Sequence, residues 1–467
     1  MNEDGLPGGD FFVRGVDVNI DELRRSLAGH VVYPGDEQYE SARRCFNALI
    51  DRRPGVIARC VSPRDVAVAF EFALKYGLEI AVRGGGHNPA GHCVCDEGLV
   101  IDLSMMRRVT VNTRERLARS EGGATWLDFD TATQAVGLVT PGGVVVSTGV
   151  CGLTLGGGIG HLTAQYGLTC DHLVGAEIVT PGGRIVHAGP DEDAELLWGL
   201  RGGGGNFGVV THLDFRLHPL QRVVGGVLRY RGTSVRDALR RYCDVVRRSP
   251  HDLSCQAELS ADDSGMPLLS ISPCYTGSSE NPSDLGALRA TPGLVDNGLR
   301  EHTFLDQQQV SDSPYGVNRH YWKGFFLHDL PDQAIDALLD RITEFHRPPS
   351  HILIESLHGA PKDVDPSSGA VAFRTAAFNV SAMAVWKRPE DDDHFIAWAR
   401  RTAETIAPWS FKGAAYINYM NADEPIDRVR ATFGVHTFER LRALKRRFDP
   451  NNVLRRNQNV PPSPSAV

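Results

Sequence analysis

Over the first 220 residues, helical and strand-like spacing of apolar positions alternate, and each switch marks an element. Val66, Ala69, Phe70 and Ala73 recur at helical spacing behind Ser62 and Pro63. Serine caps that helix, proline takes its first position and Gly77 ends it. The apolar run 78–83 then predicts a short strand stopping at three glycines. Residues 99–103 read as a buried strand, and 109–111 with 117–120 as a hairpin across Asn112 and Thr113. A strand over 174–180 turns at Pro181-Gly182-Gly183 into 184–186, and a short helix covers 194–200. Val209, Thr211, Leu213, Phe215 and Leu217 alternate with polar or smaller residues, predicting a half-buried strand.

Beyond Pro219 the pattern becomes amphipathic helices mixed with strands. Ala334, Leu338, Ile342 and Phe345 share one helix face, and strands are expected near 352–357 and over 371–384. Phe438, Leu441, Leu444 and Phe448 line a final helix before a tail rich in Asn and Pro. No internal repeat is present. The pattern is α+β, a first unit split by an inserted one.

Composition narrows the class. Of 467 residues, 42% are hydrophobic and 23% charged, as in an ordinary soluble enzyme with a large core. A net charge of −8 argues against nucleic acid as partner, and no apolar stretch approaches the ~20 residues of a membrane span. The acidic N-terminus lacks the apolar core of a secretory signal, and nine cysteines, an odd number on a long chain, do not make a disulfide framework; the cytoplasm is expected. The distinctive count is Gly 49, clustered at 84–86, 142–143, 156–158 and 202–205. A single cluster is as well read as a tight turn. Four in one region favour a large ligand with phosphates, approached closely by backbone N–H groups.

Gly203, Gly205 and Gly208 match G-x-G-x-x-G, but the string follows a predicted helix and opens a strand, the reverse of a Rossmann loop. His87, His92, Cys93, Cys95 and Asp96 lack the paired spacing of a zinc site, so no metal is expected. The informative string is Val82-Arg83-Gly84-Gly85-Gly86-His87-Asn88: glycine donors for a pyrophosphate, a cation, and a histidine leaving the loop. It resembles the phosphate-binding loop of the berberine-bridge-enzyme-like flavoproteins of the vanillyl-alcohol-oxidase superfamily, especially bacterial members. The resemblance continues through 148–160, 166–168, WGLRGGGGNFGVVT at 198–211, Tyr416-Ile417-Asn418-Tyr419 and the 449–462 tail.

That resemblance implies a two-domain PCMH-type FAD-binding fold. Its FAD domain would comprise 1–220 and 413–467, and the inserted substrate domain, 221–412, an antiparallel sheet with helices. It implies FAD joined covalently through His87 to the flavin 8α-methyl. Expected cofactor contacts are Arg83, Gly84, Gly85, Gly86 and Asn88, then Thr148, Gly149 and Gly152. Gly157, Gly158, Gly160 and His161 follow, with Val209, Asn457 and Asn459 completing the set. Thr148 falls in a turn that resembles the family's oxygen-access position near the flavin C4a. Doubly linked relatives place a cysteine ten residues before the leucine of L-G-G-G; here that position is Val145, so Cys151 is not expected to bond the flavin. A single link implies a somewhat weaker oxidant.

The resemblance also offers a proton acceptor. Tyr416 is preferred, since strand geometry would put Tyr416 and Asn418 on one face and Tyr419 on the other. Two core aromatics are the plainer reading. Glu355 matches a polar, substrate-facing position, or else is a surface strand carboxylate. The activity implied is oxidation of an alcohol, hemiacetal or amine of a small molecule, with O2 as acceptor giving H2O2. Alternatives are an oxygenase or oxidative cyclase of natural-product biosynthesis, and a flavin-free scaffold. A monomer or homodimer is expected, and no motif in the insert names the substrate.

Overall fold

The computed structural model describes residues 11–13, 16–249, 251–278, 282–310, 315–345 and 347–464. The helix behind Ser62 runs Pro63–Lys75, with the serine side chain accepting from the Asp65 amide. Its buried face covers a four-stranded sheet in the order His30–Val32, Val56–Arg59, Leu99–Asp102, Ile80–Arg83, whose last three strands are parallel. Leu99–Asp102 is buried throughout, as a central parallel strand must be. Strand Ile80–Arg83 therefore delivers the glycine loop at one end of this sheet.

A five-stranded antiparallel sheet follows, ordered Ile185–Ala188, Leu173–Val179, Val209–Arg216, Leu117–Glu121, Val109–Asn112. The predicted hairpin and the alternating strand are both here. Helix Val435–Phe448 returns from the far end of the chain to the same core. Leu441, Leu444 and Phe448 pack with Leu197, Phe207 and Leu213.

The middle of the chain builds the largest sheet among the described residues, nine antiparallel strands. Its main path runs Leu294–Asn297, Leu228–Arg231, Pro267–Tyr275, Leu253–Ala261, His351–Ser356, Phe378–Trp386, Arg319–Leu327. Helices Val235–Arg248, Asp332–Glu344 and Asp392–Ile406 share a core with one face. The strand expected over 371–384 starts at Phe378. Val371 and Phe373 lie outside it, in a separate apolar cluster with Tyr416. No described helix is long and apolar enough to cross a membrane.

A buried ion pair ties the C-terminal segment down. Lys445 Nζ donates to Asp449 Oδ2 at 2.7 Å and to the Asn206 and Leu454 carbonyls at 2.9 and 2.8 Å. Both side chains are shielded from solvent, at 0% and 1% exposure. Removing one member of such a pair leaves an uncompensated buried charge, at a cost of about 3–5 kcal/mol. Lys445→Met is therefore expected to lower the thermal unfolding midpoint and expose the tail after Asp449 to proteolysis.

Candidate active site

The three sheets meet around a cavity of about 810 Å³, near the upper end of the ~300–1,000 Å³ range of small-molecule sites. One wall is glycine. Gly84, Gly85 and Gly86 leave strand Ile80–Arg83, and Gly85 lies against the turn at Gly149. A Cβ on Gly85 would fall 2.3 Å from the Gly149 amide nitrogen, and one on Gly149 would fall 2.5 Å from that of Gly85. Neither position accepts a side chain, so two backbone loops form a continuous cradle. Asn88, Thr148, Gly152 and Val209 also line the cavity.

His87 projects from the cradle into the cavity. Its ring stacks on Phe46 (centroids 4.4 Å apart), and Phe46 stacks in turn on His320 at 4.5 Å. Its Nδ1 lies 3.5 Å from Thr148 Oγ1, while Nε2 is buried without a protein partner. Burial, with a smaller contribution from His320, lowers its pKa to about 3, so the imidazole is neutral and keeps a free lone pair.

Arg83 does not join the cradle. Its guanidinium turns away and donates to the carbonyls of Ala42 and Arg43, holding the preceding helical turn instead of a ligand. Gly157, Gly158, Gly160, His161 and Asn459 also lie off the cavity wall. The chain folds back there: a Cβ on Gly160 would strike the Gly142 carbonyl, and the Gly158 amide donates to Tyr416 Oη at 3.1 Å. His161 lines a separate small cavity. Asn457 does reach the wall, and its amide nitrogen bonds the Gly205 carbonyl at 2.9 Å.

The opposite wall holds the tyrosines, and their arrangement corrects the strand expectation. Ile417–Tyr419 is a 3₁₀ turn with Tyr416 as its N-cap, and i and i+3 eclipse in such a turn. Both rings therefore face the same way, edge to face with centroids 4.7 Å apart. Tyr416 Oη accepts from the amides of Gly158 and Ile159, both at 3.1 Å, and from Asn418 Nδ2 at 2.9 Å. Tyr419 Oη donates to Glu355 Oε1 at 3.2 Å, and Asn379 Nδ2 donates to Oε2 at 2.6 Å.

Glu355 is no surface carboxylate; it is 1% exposed and sits behind the tyrosines. Burial pushes its carboxyl up to about 7, against the pull of Asn379 and Tyr419. Tyr416 is raised by burial and then by Glu355, with its three donors acting the other way. Tyr419 is raised well above the usual phenol value by the same burial and carboxylate.

Two family models match the chain. The FAD binding domain matches residues 54–189, and the berberine and berberine-like model matches 415–461. The (R)-6-hydroxynicotine oxidase of Paenarthrobacter nicotinovorans is 29% identical over 466 aligned residues, covering 94% of this chain and 98% of the relative. The crystal structure of 6-hydroxy-D-nicotine oxidase from Arthrobacter nicotinovorans superposes with a TM-score of 0.87 at 27% identity, covering 94% and 99% of the two chains. The protein is an FAD-dependent oxidoreductase similar to the berberine-bridge-enzyme-like enzymes. Berberine bridge enzyme from Eschscholzia californica shares the fold, with a TM-score of 0.84 at 19% identity and coverage of 96% and 100%.

The cavity of this oxidoreductase fits FAD on its own geometry. The glycine cradle lets a pyrophosphate approach the backbone, and His87 Nε2, His92 Nε2 and Asn457 Oδ1 are buried polar atoms without protein partners. Both Val145 and Cys151 line the cavity. Burial lifts the Cys151 thiol to about 12, so it stays protonated and weakly nucleophilic. Sequence reasoning missed Gln256 and Glu258, which line the cavity from strand Leu253–Ala261, along with His320 and Trp322. The first two stand on the less buried positions of an alternating strand, and that period was a readable signal.

Proposed function

We propose that the protein is an FAD-linked oxidase of a small-molecule alcohol, hemiacetal or amine, using O2 as electron acceptor. The observation that carries this reading is the pairing of a free, neutral imidazole on the glycine wall with the Tyr419–Glu355 couple on the opposite wall. His87 would hold the flavin by a single covalent bond, with 1–220 and 413–467 as the FAD domain and 221–412 closing over it. When bound, FAD supplies a two-electron acceptor for the substrate C–H and returns the electrons to O2 as H2O2.

The chain's own residues handle the proton. Substrate O–H or N–H bound against Tyr419 gives its proton to Oη as the tyrosine's own proton passes to Glu355 Oε1. The net change is carboxylate to carboxylic acid, so a phenol held far above neutrality never has to ionise on its own. Glu355 must begin as the carboxylate, so proton abstraction should strengthen as pH rises through about 7 and fade below it. Tyr416 anchors the Gly158–Ile159 loop. A second reading is supported by its three donors, which suit the three lone pairs of a phenolate and would make Tyr416 the acceptor.

A substrate panel with O2 uptake and peroxide measured together tests the oxidase reading. One H2O2 per substrate oxidised supports it, whereas oxygen incorporated into product, or ring closure, supports the oxygenase or cyclase alternative. Cys151→Ala should leave the flavin attached after acid precipitation, because a protonated buried thiol is not the bonding atom.

A further inference from the structure

Behind Glu355 lies a second, small space of about 10 Å³, the size of a single water site, bordered by Ile159 and Gln256, which also line the main cavity. Its walls are polar. Glu355 and His161 face it from opposite elements, with Thr163, Ser254, Ser272 and Ser356 around them. Several of these hydroxyls are already committed: Thr163 Oγ1 and Ser254 Oγ accept from the Gly160 and Ala164 amides, and Ser356 Oγ donates to the Cys255 carbonyl. His161 is not. It is 2% exposed, and its Nε2 has no protein partner.

A second pair of buried residues bears on what that nitrogen carries. His302 Nε2 lies 2.9 Å from Gln307 Oε1, and in this orientation of the side-chain amide the Gln307 nitrogen lies 3.5 Å from His161 Nδ1. A donor on Nδ1 requires that nitrogen to be the acceptor, so the ring proton of a neutral His161 sits on Nε2. Burial, with His302 beside it, keeps His161 neutral, its pKa lowered to about 4. The ring therefore offers one N–H, at the nitrogen left free.

We propose that one water occupies this space, accepts from His161 Nε2–H and donates to the Glu355 carboxylate, making His161, oriented by Gln307, a positioning residue for that carboxylate. It rests on Glu355 being the proton acceptor's carboxylate, as argued above. The other ionisable groups facing Glu355 are Tyr416 and Tyr419 from the turn, Cys255 on the neighbouring strand and Tyr242 from helix Val235–Arg248. None of them is cationic, so the charged form is supported by hydrogen bonds, from Asn379, from Tyr419 and, as proposed, from this water.

The test is infrared titration of the protonated Glu355 carboxyl band in the purified holoenzyme, the band being identified by its loss in Glu355→Gln. His161→Phe removes the N–H and should raise the Glu355 midpoint by about one pH unit, the weight of one hydrogen bond to a charged group. His161→Gln returns an N–H near the same place and should restore it, which a purely structural role would not do. Gln307→Leu frees the tautomer and should give a smaller shift in the same direction, a safeguard if His161→Phe fails to fold. An unchanged midpoint in His161→Phe, or no restoration by Gln, overturns the proposal. If the band shifts while the acidic limb of flavin reduction does not follow, the water link stands and Glu355's role as acceptor falls.

Discussion

Replacing His87 with alanine should free the flavin from the polypeptide completely. After acid precipitation the wild-type pellet should be yellow and the variant pellet colourless, with intact mass lower by the cofactor in addition to the side chain. The effect should be complete because the two positions considered for a second link, 145 and 151, offer no ready nucleophile. The imidazole is neutral, with an unpartnered nitrogen at the cavity wall. Cys151 is held as a thiol, and Val145 has no nucleophilic atom. The cradle of Gly85 against Gly149 does not depend on the histidine, so FAD should still bind reversibly and be removed by gel filtration in denaturant. If the His87→Ala protein keeps its flavin through acid, the bond lies on another residue, and the same mass measurement on Cys151→Ala decides whether that residue is the cysteine.

How far the sequence reached depends on whether a feature is local. The helix at Pro63–Lys75 and the strand Ile80–Arg83 are dictated by a cap, a stop glycine and period, all within a few residues, and they emerge where the pattern puts them. Half of the glycine cradle was legible for the same reason: the 84–86 cluster marks Gly85, which tolerates no Cβ, whereas its partner Gly149 stands outside the clusters and was reached only through the family resemblance. Arg83 was misjudged because a charge beside a phosphate-type loop says nothing about which way its side chain leaves the strand; two carbonyls from the 42–43 turn capture it. The tyrosines were misjudged because four residues rich in aromatics read equally well as a strand or a 3₁₀ turn, and the two periods give opposite faces. Glu355 meets Tyr419 across 64 residues of chain, and the pairing of strands His351–Ser356 and Phe378–Trp386 that buries it with Asn379 is a long-range register no local signal carries.

That register sets up the sharpest catalytic comparison. Glu355→Gln keeps the size and the hydrogen bonds to Tyr419 and Asn379 within reach but cannot accept a proton, so anaerobic reduction of the flavin by substrate should slow by ~10²–10⁴-fold, the usual worth of general-base assistance. Tyr419→Phe breaks the link between cavity and carboxylate and should cost a similar factor, since Glu355 itself does not line the main cavity. Because the two act as one unit, the double variant should be little worse than either single one. Tyr416→Phe removes the acceptor for the Gly158 and Ile159 amides and loosens the loop, so a smaller loss, with weaker substrate binding, is expected. Stopped-flow reduction without oxygen separates this step from the reaction with O2, and the flavin spectrum confirms that each variant is loaded. If Tyr416→Phe alone is crippled while Tyr419→Phe and Glu355→Gln reduce the flavin normally, the three-donor phenolate at Tyr416 is the acceptor, and the buried carboxylate only tunes the site's charge.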